Sequence, residues 1–303
     1  MFDITDKIKT LRVSKARAVI EVDEDLIKKI ERREIEKGDI FEISRAVACQ
    51  SAKKTSEIFP FCHNIPIEWV FFEHKIDGKN MIIEVTVKTI SRTGCEMEAL
   101  FSVSCAALNI YDMLKPYSKN IEIKEIKLVE KKGGKSDFIE ELPTPFKAGV
   151  LVVSDSVYAG KKEDKSGKII VKILKECGVE NIEYKIVPDE KEMIEREVKN
   201  WIDEEFNLVI TTGGTGLSPR DVTPEAIRPL IEKEIPAIME ASRVYGYERT
   251  PYSMLSRGIS GVSGKTLIIT LPGSSKGSYE SMRAIFPYVF HIYKMMEGRG
   301  HEK

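Results

Sequence analysis

Residues 207–226 read NLVITTGGTGLSPRDVTPEA: an apolar run that ends in glycines and passes through a polar turn into a helix start. The run has the length and β-branched content of a buried strand. Gly213, Gly214 and Gly216 at its exit can take positive φ and bring backbone amides close to an anion without a side-chain clash. The lysine of the common phosphate loop is missing, so positive charge must come from elsewhere. GVSGKT at 261–266 carries only the second half of that motif, with Ile259 where its first glycine belongs, and GGKS at 133–136 has Val129 at that place. Neither is a phosphate loop.

Outward from this loop, strand and helix patterns alternate from about residue 147. Strand AGVLVVSDS precedes helix KIIVKILKECG, and strand EYKIVPD precedes helix KEMIEREVKNWIDEE. NLVITTGG is followed by a helix TPEAIRPLIEKE, and TLIITLPG by a last helix running through Phe290. Such alternation predicts an α/β domain with a mostly parallel sheet and helices on both faces, whose ligands bind at the carboxyl edge of the strands. That edge collects Ser154, Asp155 and Ser156, then Asp189 and Glu190, then the glycine loop, then Pro272, Gly273, Ser274 and Ser275. Thr223 is expected to cap the helix that Pro224 opens. Asp221 beside a phosphate nest adds repulsion unless a metal ion or a proton transfer uses it. Glycines, hydroxyls and carboxylates on one edge predict a nucleotide site with a divalent metal.

The segments VVSDS, VPDE, TTGGTGLSPRDVTPEA, MLSRG and LPGSS resemble the molybdopterin adenylyltransferase family, over essentially all of 147–297. The resemblance implies ATP and Mg2+ as cosubstrate and cofactor, with molybdopterin phosphate attacking the α-phosphorus of ATP and releasing pyrophosphate. It implies that Asp189 and Asp221 handle metal and turnover, and that the stretch Gly213, Gly214, Thr215, Gly216 surrounds phosphate. It places Ser154, Asp155, Pro272, Gly273 and Ser274 in the binding edge, and Ser256 and Arg257 near the pterin phosphate.

The first half reads differently. Strands at ARAVIEV, about residues 68–75, MIIEVTVKTI and IEIKEIKLVE accompany a charged helix near residues 23–35 and a long helix from Glu96 to Lys115, which Pro116 ends. This is an α+β pattern with an antiparallel sheet, expected to be ferredoxin-like. Charged and polar residues cluster at Lys53 to His63, at Glu96 and Glu98, and at Asp112 and Lys115. Glu98 and Asp112 share one helix face about 21 Å apart, too far to grip one small ligand within one subunit.

TLRVSKARAVIEV, KGDIFEISRAVACQSAKKTSEIFPFCH, TGCEMEALFSVSCAALNIYDMLK and KKGGKS together resemble cyclic pyranopterin monophosphate synthase, over about residues 1–138. The family rearranges 3',8-cyclo-7,8-dihydro-GTP and expels pyrophosphate. The resemblance implies Asp112 as the acid-base residue with Lys115 as partner. Lys37, Lys53, Lys131 and Lys135 join Lys115 as cations for the triphosphate, while Phe61, Cys62, His63, Glu96, Met97 and Glu98 line the substrate. No tightly bound cofactor is expected in this half. A homo-oligomer, trimer or hexamer, is expected, with a second chain completing each site.

The division is expected as 1–139, a linker at 140–146, and 147–303. The 47 basic and 48 acidic residues leave a net charge of -1, without the basic excess of a nucleic-acid binder. No apolar run approaches ~18 residues and the start lacks a signal-peptide core, so a cytoplasmic protein with no membrane association is expected. Five cysteines without a C-x-x-C pair predict reduced thiols, mostly buried. The partners expected are small pterin and nucleotide substrates. The overall expectation is a bifunctional enzyme; the alternative is one catalytic half fused to a binding or scaffolding module without turnover.

Overall fold

The computed structural model describes residues 1–298 and divides into two compact units, Met1–Phe138 and a second beginning at Ile139. In the first unit the chain runs β1 (Thr10–Glu21), α1 (Glu24–Glu31), α2 (Ile40–Ile58), β2 (Trp69–Asp77), β3 (Asn80–Ser91), α3 (Glu96–Leu114) and β4 (Glu122–Lys132). The sheet is antiparallel with order β2-β3-β1-β4. Alternation decides which face is buried: Ser14, Ala16, Ala18 and Ile20 of β1 and Met81, Ile83, Val85 and Val87 of β3 are covered. Ala99, Val103, Ala106 and Ile110 of α3 join them in one core.

Hydrophobic periodicity does not announce α2. Its buried positions, Ile40, Ser44, Ala48, Ser51, Ala52 and Thr55, recur at helical spacing but are nearly all small or polar. Small side chains let α2 and α3 pack closely, and Asn109 Nδ2 of α3 donates to Ser44 Oγ at 2.9 Å. The start of α2 is set by Asp39, whose carboxylate accepts from the amides of Phe41 and Glu42 at 3.0 and 3.1 Å.

The second unit contains β5 (Lys147–Val153), α4 (Asp155–Tyr158), α5 (Ser166–Glu176), β6 (Asn181–Val187), α6 (Lys191–Asp203), β7 (Leu208–Thr212) and α7 (Thr223–Ile227). It continues with β8 (Lys233–Glu234), α8 (Pro236–Tyr247), β9 (Ser260–Ser263), β10 (Thr266–Leu271), α9 (Ser275–Ile285) and α10 (His291–Met296). The sheet order is β6-β5-β7-β10-β9-β8; the first four strands are parallel, and β9 and β8 extend them antiparallel. Helices cover both faces. A Cβ on Gly149 of β5 would strike the Trp201 ring of α6 at 2.6 Å, and one on Gly167 of α5 would strike Val152 at 2.4 Å, so these two β5 residues, three apart and on opposite faces of the strand, meet opposite layers.

Several expectations are corrected. The helix expected from Thr223 to residue 234 ends at Ile227, followed by a 3-10 turn through Pro229 and the edge strand β8. The helix expected to run through Phe290 stops at Ile285, because Pro287 has no amide hydrogen to continue it, and a 3-10 turn and α10 follow. GVSGKT is a tight β9–β10 hairpin. Residues 140–146 are anchored to the second unit: Glu140 pairs with His291 Nδ1 at 2.7 Å and with Lys294, and Phe146 meets Phe290 and Tyr293 edge-on. Only Cys95 is buried; the other four cysteines are half-buried.

Candidate active sites

In the second unit four parallel strand ends converge as expected. Leaving β7, Gly213 and Gly214 have φ of +105° and +62°, values that favour glycine. A Cβ at Gly213 would lie 2.1 Å from the Val153 carbonyl oxygen. We therefore expect Gly213→Ala to cost at least about 2 kcal/mol of stability. Thermal unfolding of the full chain checks this, and a variant melting with the wild type contradicts the loop geometry. Thr223 does not cap its own helix: its hydroxyl donates to the Gly213 carbonyl at 2.9 Å, tying α7 to the loop.

The carboxylates are locked across the edge. Asp155 Oδ1 accepts from the Asp189 amide at 3.0 Å, and Asp189 Oδ2 accepts from the Asp155 amide at 2.8 Å. Arg220 forks onto Asp155, with Nη2 2.8 Å from each carboxylate oxygen, and holds that carboxyl below its usual range. Asp189 behaves oppositely: burial raises its carboxyl, the Asp155 amide opposes this, and the charges of Asp155 and Asp221 add to the rise. Asp221 Oδ2 accepts from the Ser218 amide at 2.8 Å.

Two cavities adjoin the loop. One, about 480 Å³, lies over the β5, β6 and β7 ends and is lined by Ser154, Asp164, Asp189 and Gly213; the other, about 500 Å³, is walled by Thr215, Gly216, Tyr252, Leu255 and Ser256. Gly214, Asp221, Gly273, Ser274 and Lys276 belong to both. Pro272 also lines the second, and its carbonyl accepts from Thr212 Oγ1 at 2.8 Å; Ser274 caps α9. Arg257 braces the loop: Nε donates to the Gly216 carbonyl and Nη2 to the Asp221 carbonyl, both at 2.7 Å, and Nη1 pairs with Glu225. Three of its five N–H donors are engaged in this way.

In the first unit two clusters form at opposite ends of α3. At the carboxyl end, Lys115 Nζ lies 2.6 Å and Lys37 Nζ 2.8 Å from the Asp112 carboxylate. Hydrogen bonds from Lys115 and then Lys37 hold that carboxyl at about 2. At the amino end Glu98 is buried, and burial with the Glu96 charge pushes it up to about 7 against its own backbone amide. Burial also raises the Cys62 thiol, with the Glu98 charge adding. Burial pushes Glu96 up, but Lys131 at 2.9 Å overrides it and brings it down. Thus Glu98 and Asp112, expected on one face, differ: one is buried and one exposed.

His63 Nε2 lies 2.9 Å from the Phe2 carbonyl. Phe61, Met97, Lys53 and Lys135 are exposed.

Glu98 should impose a pH dependence. The folded chain keeps it protonated up to about 7, whereas the unfolded carboxyl ionises near 4.5, so its stabilising contribution is full below 4.5 and lost as pH rises through 7. The loss is on the order of 3 kcal/mol at most. Glu98→Gln is expected to flatten thermal stability between pH 5 and 8, with the variant gaining on the wild type toward pH 8. Parallel pH curves would contradict this.

Residues 1–134 match the MoaC family and residues 149–291 match the family described as "Probable molybdopterin binding domain". Across both, the chain is 36% identical over 301 residues to a molybdenum cofactor biosynthesis bifunctional protein of Chlorobaculum tepidum, covering 99% of this chain and 96% of that one. The chain belongs to the bifunctional molybdenum cofactor biosynthesis proteins. A cyclic pyranopterin monophosphate synthase of Aquifex aeolicus is 34% identical, covering 90% of this chain and 91% of its own length. A molybdopterin adenylyltransferase of Helicobacter pylori is 39% identical, covering 50% of this chain and 87% of its own length.

Three residues of this bifunctional protein escape sequence reasoning. Arg12 of β1 approaches Gly134, and its charge acts on Glu96. Asp164 accepts from Ser166 Oγ, from the Gly167 and Lys168 amides and, at 2.7 Å, from Tyr184 Oη, fixing the start of α5 under the 480 Å³ cavity. Arg243 reaches the 500 Å³ cavity from α8. Asp164 carries a readable signal, an aspartate just ahead of an amphipathic helix. The other two sit in ordinary surface patterns.

Proposed function

We propose that this chain catalyses two steps of molybdenum cofactor assembly, one in each unit. The second unit transfers the adenylyl group of ATP to the phosphate of molybdopterin. A molybdopterin phosphate oxygen bonds to the α-phosphorus of ATP as the bond to the pyrophosphate oxygen breaks. The observation that carries this reading is the pair of cavities meeting at Gly214, Asp221 and Ser274. Two ligands held there have their phosphates on the same glycine loop, the placement in-line transfer requires. The polar cavity over Asp189 suits nucleotide and triphosphate; the one walled by Tyr252 and Leu255 suits a flat heterocycle.

Among the described residues no three His, Cys, Asp or Glu side chains gather to hold a metal ion. The donor set nevertheless fits Mg2+, which keeps several waters and takes one or two carboxylates plus phosphate oxygens. Asp189 and Asp221 would hold it; burial first, and then the charges of Asp155 and Asp221, raise the Asp189 carboxyl, and a cation there would offset both. When bound, the ion supplies the charge neutralisation that a phosphate-loop lysine gives elsewhere. The protein's own part is positioning: glycine amides fix the phosphates, and Arg257 and Thr223 fix the loop. Radiolabelled α-phosphate from ATP should appear on molybdopterin. Binding of both ligands without label transfer would support the scaffolding alternative.

In the first unit Asp112, ionised between two ammonium groups, is positioned to accept a proton while Lys115 donates one during rearrangement of 3',8-cyclo-7,8-dihydro-GTP. Lys131, Lys135, Lys53 and Arg12 supply cations for the triphosphate. The separation of the Glu98 and Asp112 clusters along α3 supports a site completed by a second copy in a trimer or hexamer. Native mass spectrometry tests this, and a monomer with full activity would exclude it. The strand order β2-β3-β1-β4 supports a ferredoxin-like description, with two helices, α1 and α2, in the first crossover where that fold has one. No helix among the described residues is long and apolar enough to cross a membrane.

A further inference from the structure

Glu280 projects from the middle of α9, is only 8% exposed, and lines the 500 Å³ cavity. Its nearest cationic partner, Lys276 Nζ one turn earlier, lies 3.9 Å away, beyond hydrogen-bond reach, and is itself largely exposed. Among the described residues no other group donates to the Glu280 carboxylate. A carboxylate that lines a cavity with its oxygens free of protein donors can accept from a ligand bound there. Beside it in the same cavity the hydroxyls of Ser242 and Ser281 bond to each other at 2.9 Å, and both residues are buried. Tyr252 and Leu255 also line this cavity.

We propose that Glu280 is a specificity-determining residue of the second unit, accepting two hydrogen bonds from the 2-amino and N3–H groups of the pterin pyrimidine ring. This assignment rests on the reading of that unit as a molybdopterin adenylyltransferase. The chemistry decides between the heterocycles available. The pterin edge offers two adjacent donors, which match the two oxygens of a carboxylate. Adenine offers one donor beside the N1 lone pair, and that lone pair would face a negative charge. Glu280 therefore admits the pterin to this cavity and sends the adenine of ATP to the other. A site built to accept from a donor edge rejects analogues that lack it far more strongly than an apolar pocket rejects a change of shape.

The test is equilibrium titration of the full chain with a dihydropterin carrying a side-chain phosphate, with the matching lumazine in which a carbonyl replaces the 2-amino group, and with Mg-ATP. The wild type should prefer the dihydropterin to the lumazine. Glu280→Gln should weaken dihydropterin binding by roughly 10- to 100-fold, erase that preference, and leave Mg-ATP affinity within about twofold. Unchanged dihydropterin binding would overturn the proposal. So would equal loss of dihydropterin and lumazine, or a parallel loss of Mg-ATP binding.

Should Glu280→Gln fail to fold, Glu280→Asp carries the same readout. Its carboxylate, withdrawn by one methylene, should lose the pterin-over-lumazine preference and keep Mg-ATP affinity; a retained preference would overturn the proposal. The parent reading fails separately. A wild type that transfers no adenylyl group, while Glu280→Gln selectively loses the dihydropterin, would sink adenylylation and keep the Glu280 assignment. A wild type that adenylylates normally beside an unchanged Glu280→Gln would sink the assignment alone.

Discussion

Asp112→Asn is expected to lower formation of cyclic pyranopterin monophosphate by roughly 10²- to 10⁴-fold, the span that general acid-base groups contribute, and to leave adenylyl transfer unchanged. The reason is local. Lys37 and Lys115 both contact the Asp112 carboxylate, which they hold ionised down to about 2. An amide keeps the size and one hydrogen-bond acceptor but has no charge and takes no proton at neutral pH. Because the group is exposed and its ion pairs are solvent-screened, the substitution should leave the melting temperature nearly unchanged. The measurement is pyrophosphate release from 3',8-cyclo-7,8-dihydro-GTP, read beside thermal unfolding. Wild-type turnover in a folded variant would show that another group carries the proton.

The second large effect belongs to the other unit. Asp221→Asn and Asp189→Asn should each reduce label transfer from ATP to molybdopterin by roughly 10²- to 10³-fold and spare the first reaction. The two substitutions differ in character. Asp189 carries a carboxyl raised by burial and by its acidic neighbours, so its amide variant relieves repulsion; its remaining oxygen takes over the bond from the Asp155 amide, and stability should stay near that of the wild type. Asp221 also accepts from the Ser218 amide and its carboxylate crowds Gly216, so its variant perturbs the loop as well as the charge. Raising magnesium should partly rescue Asp189→Asn if that side chain holds the ion. Normal transfer in both variants would mean the edge carboxylates have no part in turnover.

What the sequence discloses follows from how its signals arise. The parallel sheet was legible because buried strands such as 208–212 and 266–271 are continuous apolar runs with glycine or proline at their exits. The binding edge followed from topology, since parallel strands bring their carboxyl ends together whatever the intervening helices do. α2 was not legible because its packing stripe is serine, alanine and threonine, residues that fill a close helix contact without raising hydropathy.

The extent of α7 was misjudged for a different reason. An apolar-periodic segment continues through residue 234, but Pro229 and pairing of Lys233 and Glu234 with β9 override propensity. The residue types at the strand exits are what suggested a site there. Arg257 was placed near the pterin phosphate by the family resemblance; the geometry adds that its Nε and Nη2 hold the Gly216 and Asp221 carbonyls. Glu280 was silent because a lone glutamate in an amphipathic helix looks solvent-facing.

The measurement that bears most directly on two sites in two units is the assay of residues 1–138 and 139–303 as separate polypeptides, each supplied with each set of substrates. The first should release pyrophosphate from 3',8-cyclo-7,8-dihydro-GTP and ignore ATP, and the second should adenylylate molybdopterin and ignore the cyclic nucleotide. Loss of either reaction in both separated halves, with the full chain active, would contradict the account.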